Sequence, residues 1–169
     1  MGRVLARMAS ELVEQTASGG DLVLVGIQRR GVQLADRLAA LVAPQLGRSL
    51  RRGTLDITLY RDDLQAIGPR PEVHETRLPA DLNGAIVVIV DDVLFTGRTV
   101  RAALDEIADF GRPRRVLLAV LVDRGGRELP IAADVTGLAV NAAPDDHVAV
   151  LVRELDGDDA VDLIAGATR

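Results

Sequence analysis

The sequence predicts an α/β fold with a mainly parallel, twisted sheet flanked by helices, and two observations support this prediction. Short apolar segments alternate with longer segments in which apolar residues recur at helical spacing. Polar turns follow the apolar segments, as expected where parallel strands end at one edge of a sheet. Four segments have the composition of strands: residues 22–27, 55–60, 85–90 and 116–122. Their mainly helical connections favour right-handed crossovers.

Three helices are predicted, one before the first strand and two between strands. The first covers residues 3–18 and is amphipathic, and the second covers about residues 32–46, directly after a basic turn. The third begins at Thr99 and ends before Gly111 and Pro113, because glycine and proline commonly close helices. The apolar face of the third helix is predicted to comprise Val100, Ala103, Leu104 and Ile107.

We expect residues 1–169 to form a single domain, because a chain of this length buries about two-thirds of its unfolded surface. Residues 61–83 are rich in charge and proline and lack periodicity, so they are predicted to be a mobile loop. Residues 139–169 contain two shorter apolar segments, 148–152 and 161–164, which we expect to form edge strands or a small flap.

The composition excludes several classes of site. The chain has no cysteine, which excludes disulfides and thiolate metal sites, and no lysine, so all 20 basic residues are arginines. With 25 acidic residues the net charge is −5. No apolar run is long enough to cross a bilayer and no signal-peptide pattern is present, so we expect a cytoplasmic protein without membrane contact.

The segment VVIVDDVLFTGRT, residues 87–99, predicts a site for a phosphorylated sugar. A buried strand leads to Asp91 and Asp92, whose carboxylates accept hydrogen bonds from vicinal hydroxyls of a ribose. A turn with Thr96 and Gly97 then feeds the start of a helix at Thr99, where backbone N–H groups and the helix dipole favour a phosphate. A structural interpretation competes, since strands ending in two aspartates are common in doubly wound folds, but the Thr-Gly-Arg-Thr turn favours a functional one.

Other phosphate-binding motifs are absent. The chain contains neither GxxxxGK[ST] nor a GxGxxG that opens a helix, which excludes a P-loop and a dinucleotide fingerprint. A phosphoacceptor receiver domain is disfavoured because it would need a lysine.

Together with three further segments, this motif resembles the PyrR family of type I phosphoribosyltransferases. The segments are LVGIQRRG at residues 24–31, LDITLYRDDL at 55–64 and GRPRRVLLAVLVDRGGRELPI at 111–131. The family combines attenuation of pyrimidine operons with uracil phosphoribosyltransferase activity. The resemblance therefore implies a phosphoribosyltransferase fold with a flexible loop and a C-terminal hood, and a reaction of uracil with phosphoribosyl pyrophosphate (PRPP) that yields UMP and pyrophosphate.

The resemblance also implies roles for individual residues. Asp91 and Asp92 hold the ribose hydroxyls, Arg61 closes over the pyrophosphate, and Mg²⁺ binds through PRPP without a dedicated set of protein ligands. The residues expected to bind PRPP or nucleotide are Gln28, Arg29, Arg30, Asp91, Asp92, Val93, Leu94, Phe95, Thr96, Gly97, Arg98 and Thr99. The base is expected near Val122, Asp123 and Arg124. Phe95 stands where purine-using relatives carry a carboxylate. Because a phenyl ring cannot take up a proton, this position cannot supply a general base.

A second implied activity is binding of leader mRNA in response to UMP or UTP, with Arg3, Arg7 and Arg127 as candidate contacts. The chain departs from the family pattern for RNA binding at Ala6, Ser10 and Gly126, and in the segment NAAPDDH at residues 141–147. An enzyme that salvages uracil without binding RNA is the alternative. A homodimer or larger homo-oligomer is expected from the resemblance.

Overall fold

The five-stranded parallel sheet confirms the predicted fold class. The structure is a computed structural model that describes residues 1–17, 19–60 and 75–166. The strand order is β2-β1-β3-β4-β5, and every neighbouring pair is parallel. The strands are β1 (Leu22–Ile27), β2 (Arg51–Leu55), β3 (Ile86–Leu94), β4 (Arg115–Asp123) and β5 (Val135–Ala139).

Helices cover both faces of this sheet. On one face, α1 (Gly2–Gln15) and α2 (Arg30–Leu46) pack on alternate side chains of the central strands. On the other face, α3 (Arg98–Asp109) packs on the remaining ones. Residues of β1, β3 and β4 are buried almost throughout, which explains why continuous apolar runs marked these strands in the sequence. Leu104, predicted to face the core, is 39% exposed, and Glu106 occupies a buried position of α3 instead.

Both edge strands were mispredicted. The strand predicted at residues 55–60 is wrong: β2 is Arg51–Leu55, and Ile57–Tyr60 forms a 3-10 turn. The sequence RRGTL pairs with only one strand and buries only Leu55 fully, so it lacks an apolar run. The other edge strand, β5, was missed for the same reason, because only Val135 and Gly137 are buried in it. In the centre, β3 continues past Val90 to Leu94, so both aspartates lie within the strand.

The C-terminal segment forms a separate antiparallel hairpin of β6 (His147–Leu151) and β7 (Ala160–Ile164). The side chains of Val148, Val150 and Val152 join the core on the α1 and α2 face. Between the two strands, a single helical turn, α4 (Arg153–Asp156), begins an acidic turn that we define as residues 153–159. The predicted short strands at 148–152 and 161–164 are therefore present within one residue.

Part of the segment predicted as a mobile loop lies outside the described residues, namely 61–74. Of the remainder, Arg77 pairs with β2: its N–H donates to the Thr54 carbonyl at 2.9 Å, and its carbonyl accepts the Thr54 N–H at 2.8 Å. Leu82 is completely buried. Within the described ranges, no helix is both long and apolar enough to cross a membrane.

Candidate active site

The candidate site is a cleft at the point where the strand order of the sheet reverses. From β1 the chain continues outward to β2, whereas from β3 it continues the other way to β4, so a crevice opens between the ends of β1 and β3. The cleft has a volume of about 310 Å³. It is lined by Ile27, Gln28, Arg29, Asp56, Ile57, Thr58, Asp91, Asp92, Val93 and Thr99.

The two aspartates of β3 form the floor of this cleft. Pairing of β3 with β1 ends at Val90, whereas pairing with β4 continues with Asp91 opposite Val120, so the carboxylates lie where one side of the strand is open. Asp91 is only 7% exposed, and its Oδ1 accepts the N–H of Asp92 at 2.9 Å. Burial, together with the neighbouring charge of Asp92, raises the pKa of Asp91 well above the usual range of an aspartate.

One wall of the cleft is the turn between β1 and α2. Gln28 and Arg29, joined by a cis peptide bond, both line the cleft, and the N–H of Gln28 donates to the Leu55 carbonyl at 2.9 Å. The first turn of α2 lies very close to β3, because a Cβ atom at Gly31 would be 2.5 Å from the carbonyl oxygen of Val90. Only glycine permits this approach, which brings the turn next to the aspartates.

Unlike Gln28 and Arg29, Arg30 directs its side chain toward the acidic turn. Its Nε and Nη2 donate to the carboxylate of Asp156 at 3.1 and 2.8 Å, and it does not line the cleft. In this structure Arg30 therefore forms an ion pair with the acidic turn, and its expected contact with pyrophosphate stays a prediction.

The opposite end of the cleft is the turn between β3 and α3, which we call the phosphate cradle, residues 96–99. Gly97 precedes α3 with a φ of 93°, a left-handed conformation that favours glycine. Thr96 Oγ1 accepts the N–H of Arg98 at 3.3 Å, and Thr99 faces the cleft. Val93 also lines the cleft, whereas Leu94 is buried in the core and Phe95 is 37% exposed.

Side chains at the end of β4 and directly after it are engaged in contacts within the protein. Val122 is buried and pairs with Val93, and the Asp123 carboxylate accepts a 2.5 Å bond from Arg127 Nη2. Arg124 is 6% exposed and donates to the carbonyl oxygens of Ala143 and Asp146 at 2.9 and 2.8 Å. Its guanidinium also lies 3.9 Å from the ring centroid of Phe95. The Asp123 and Arg124 side chains are therefore engaged within the protein, and the base contact expected at these three residues stays a prediction.

The three arginines expected to contact RNA lie in different surroundings. Arg3 and Arg7 are exposed on α1, where Arg7 pairs with Glu11 at 3.5 Å and donates to the Thr136 carbonyl at 2.9 Å. Arg127 is turned inward, with a side chain only 23% exposed. Arg61, the residue expected to close over pyrophosphate, lies outside the described residues.

Sequence reasoning missed four residues that line the cleft, the apolar Ile27 and Ile57 and the polar Asp56 and Thr58. Asp56 is 6% exposed, and its Oδ1 accepts the N–H of Thr58 at 2.9 Å, which fixes the turn after β2. Asp56 and Thr58 belong to the LDIT segment that carried part of the family resemblance, but the wrong strand boundary assigned them to a strand.

Comparisons with known proteins agree with this geometry. A family model described as a phosphoribosyl transferase domain matches residues 1–156. A bifunctional protein PyrR from Thermus aquaticus is 56% identical over 163 residues, covering 96% of this chain and 90% of the relative. One from Chloroflexus aurantiacus is also 56% identical, over 165 residues, covering 98% of this chain and 91% of the relative. This chain belongs to the PyrR family of phosphoribosyltransferases.

More distant solved structures share the PyrR fold. A hypoxanthine phosphoribosyltransferase from Trypanosoma cruzi superposes with a TM-score of 0.72 at 16% identity, covering 98% of this chain and 91% of its own. One from Staphylococcus aureus gives a TM-score of 0.67 at 18% identity, covering 98% of this chain and 89% of its own. These two similarities concern the fold alone, and the PyrR family predicted from the sequence motifs is confirmed by the closer relatives.

Proposed function

We propose that this PyrR-family protein transfers ribose 5-phosphate from PRPP to uracil, with release of pyrophosphate. The observation that supports it best is that Asp91, Asp92 and Thr99 share one cleft with Gln28 and Arg29. This arrangement offers hydroxyl acceptors in the centre, a helix start for a phosphate at one end, and a basic turn for a second anion at the other. PRPP is a molecule with that order of groups.

The reaction breaks the bond between the anomeric carbon and pyrophosphate, so positive charge develops on the ribose ring in the transition state. In this proposal Asp91 and Asp92 accept hydrogen bonds from the ribose hydroxyls, and their negative charge stabilises the ring as it becomes cationic. The phosphate cradle holds the 5-phosphate, and Arg29 stabilises the departing pyrophosphate. No residue is required as a general base, which agrees with the presence of Phe95 directly after β3, since its ring cannot accept a proton.

The donor set fits a magnesium ion carried by the substrate. Aspartate oxygens are the hard ligands that Mg²⁺ prefers, and Asp91 and Asp92 repel one another without a cation nearby. Among the described residues, however, no three His, Cys, Asp or Glu side chains converge in a metal-binding group. We therefore propose that most ligands come from PRPP, and that the bound ion supplies charge neutralisation for the pyrophosphate group.

A regulatory role forms the second part of the proposal. The PyrR relatives are named bifunctional, and a pocket that makes UMP also binds it, so UMP or UTP in the cleft would act as the effector of binding to pyrimidine-operon leader mRNA. Exposed Arg3 and Arg7 support this part. The inward orientation of Arg127 favours the alternative, an enzyme that salvages uracil without binding RNA. A cytoplasmic homodimer or larger homo-oligomer is part of either version.

Uracil-dependent release of pyrophosphate from PRPP tests the enzyme. We expect activity with uracil and none with hypoxanthine or guanine, and loss of activity in the double variant Asp91→Asn plus Asp92→Asn. Asp105→Asn, which changes an exposed carboxylate of α3, is the matched control. Filter binding of leader RNA with and without UMP separates the two versions of the regulatory part. A parent protein that released no pyrophosphate with any base would overturn the proposal.

A further inference from the structure

The side chain of Arg127 joins the ends of two strands to the loop that follows β4. Its Nη1 donates to the carbonyl of Phe95 at 2.8 Å and to that of Gly125 at 3.2 Å. Its Nε donates to the carbonyl of Ile131 at 3.0 Å, and its Nη2 to Asp123 Oδ2 at 2.5 Å. All three nitrogens of the guanidinium are thus occupied by acceptors from the protein.

The same loop holds the first half of the phosphate cradle. The carbonyl of Thr96 accepts the N–H groups of Glu128 at 3.0 Å and Leu129 at 3.1 Å. A Cβ atom at Gly97 would lie 3.3 Å from Ile131, so the cradle rests directly on this loop. We call residues 124–131 the supporting loop. Any movement of the supporting loop would move the backbone that faces the 5-phosphate.

We propose that Arg127 is a positioning residue, which fixes the supporting loop and the Phe95 carbonyl and so places the phosphate cradle around the 5-phosphate of the substrate. This inference rests on the proposed function. A guanidinium is suited to the task because its planar donors reach several acceptors at fixed angles, which the single ammonium group of a lysine does not.

The charge of Asp123 supports the same role. Although burial alone would raise the pKa of this carboxyl group, the hydrogen bonds from Arg127 and the Gly125 N–H lower it below its usual range. Asp123 is therefore an ionised anchor for the guanidinium, and charge-assisted bonds of this kind hold geometry more strongly than neutral ones.

The test compares ligands that occupy different ends of the cleft, using calorimetry on the full chain. Ribose 5-phosphate reports on the cradle, and pyrophosphate reports on the turn at Gln28 and Arg29. In Arg127→Lys, we expect the Kd for ribose 5-phosphate to rise about tenfold, the loss expected for charge-assisted hydrogen bonds, while the Kd for pyrophosphate changes less than about twofold. Arg127→Gln should give the same split with a larger rise.

Arg115→Lys is the matched control, because Arg115 lies at the other end of β4 and donates to the Gln15 carbonyl at 3.3 Å. It should leave both Kd values unchanged. If Arg127→Gln does not fold, Asp123→Asn removes the anchor from the other side and should also weaken ribose 5-phosphate.

Three outcomes overturn the inference: both Kd values unchanged in Arg127→Lys, both raised equally, or RNA binding lost while the Kd for ribose 5-phosphate stays the same. A parent protein that binds neither ligand contradicts the proposed function instead.

Discussion

At the scale of single residues, the buried carboxyl group of Asp91 shows a conflict between binding and stability. Its ionised form is poorly solvated and lies beside Asp92, yet it is the form that accepts hydroxyl donors and stabilises a cationic ribose. We predict that Asp91→Asn raises the free energy of unfolding at pH 7.5 by roughly 1–3 kcal/mol. The amide oxygen can keep the bond from the Asp92 N–H. Urea unfolding of parent and variant measures this difference.

The pH dependence of that difference gives a second prediction. Because the pKa of Asp91 is raised in the folded chain, the folded state binds its proton more tightly than the unfolded state does. The destabilisation of the folded chain by ionised Asp91 is therefore fully present above the raised pKa. It disappears as the pH falls toward the ordinary pKa of an aspartate. The advantage of Asp91→Asn should shrink in unfolding experiments as the pH is lowered from 7.5 to 5. An advantage that stayed constant over this range would show that titration of Asp91 is not its cause.

The Arg124 side chain is predicted to stabilise the folded chain through its hydrogen bonds to two backbone carbonyl groups. Arg124→Met retains much of the apolar volume but leaves the carbonyls of Ala143 and Asp146 without this donor and removes the contact with the Phe95 ring. We expect a loss of about 2 kcal/mol in urea unfolding, since buried groups that lose a charged partner cost this much. Arg112→Met, at an exposed position, should change stability by less than about 0.5 kcal/mol. Equal effects of the two variants would contradict the prediction.

Which site residues could be predicted depended on whether their role is local. Asp91, Asp92 and Thr99 lie in one continuous motif, so strand, turn and helix start already define their chemistry. The contacts of Arg30 and Arg127 depend on groups that only the tertiary fold brings near. Arg30 pairs with a carboxylate 126 residues away, and Arg127 reaches a carbonyl 32 residues away. No spacing in the sequence indicates such partners.

At the scale of elements, the acidic turn is attached to one face of α2. Arg37 donates to both Glu154 and Asp159, with N···O distances of 2.6 and 2.8 Å, two helical turns after the Arg30 ion pair. We predict that Arg37→Met destabilises the chain by about 1 kcal/mol, at the upper end for ion pairs screened by solvent, because two carboxylates are bound bidentately. Chemical unfolding at low and high salt measures it, and the effect should decrease in 1 M salt.

The control for this prediction is Arg52→Met. Arg52 makes a single ion pair with Asp36 in which both side chains are more than half exposed, so its loss should be close to zero. Hydrogen bonding from Arg37 lowers the pKa of Asp159, so the stabilisation is present at neutral pH and is lost as the pH falls through that lowered pKa. Equal losses of unfolding free energy in Arg37→Met and Arg52→Met would show that the ion pairs of the acidic turn stabilise the chain no more than a single exposed pair does.

The elements themselves were predictable where burial is two-sided. The first strand was located correctly from its apolar run alone, and β4 within one residue at each end. The edge strands β2 and β5 carry few buried side chains, and the acidic turn of the C-terminal hairpin is joined to α2 by ion pairs. Edge pairing and ion pairing are set by tertiary neighbours, so local composition did not indicate them.

At the scale of the whole molecule, the net charge of −5 limits how RNA can be bound. Phosphate neutralisation supplies much of the affinity of nucleic-acid-binding proteins, and of the three candidate arginines only Arg3 and Arg7 are exposed. A small positive area on an acidic protein predicts a weak dependence of affinity on salt. The alternative version of the function, salvage alone, predicts no affinity for leader RNA even at low salt.

We therefore predict that, with UMP present, the slope of log affinity against log salt concentration for leader RNA lies between about −1 and −2, because each neutralised phosphate contributes about −0.7 to −0.9. Filter binding at a series of salt concentrations measures the slope. The double variant Arg3→Gln plus Arg7→Gln should abolish binding of leader RNA and leave uracil-dependent release of pyrophosphate unchanged. Arg48→Gln plus Arg112→Gln, two other exposed arginines, is the control. A slope of about −4 or steeper would require at least four phosphate contacts, and would place the RNA on a basic surface other than α1.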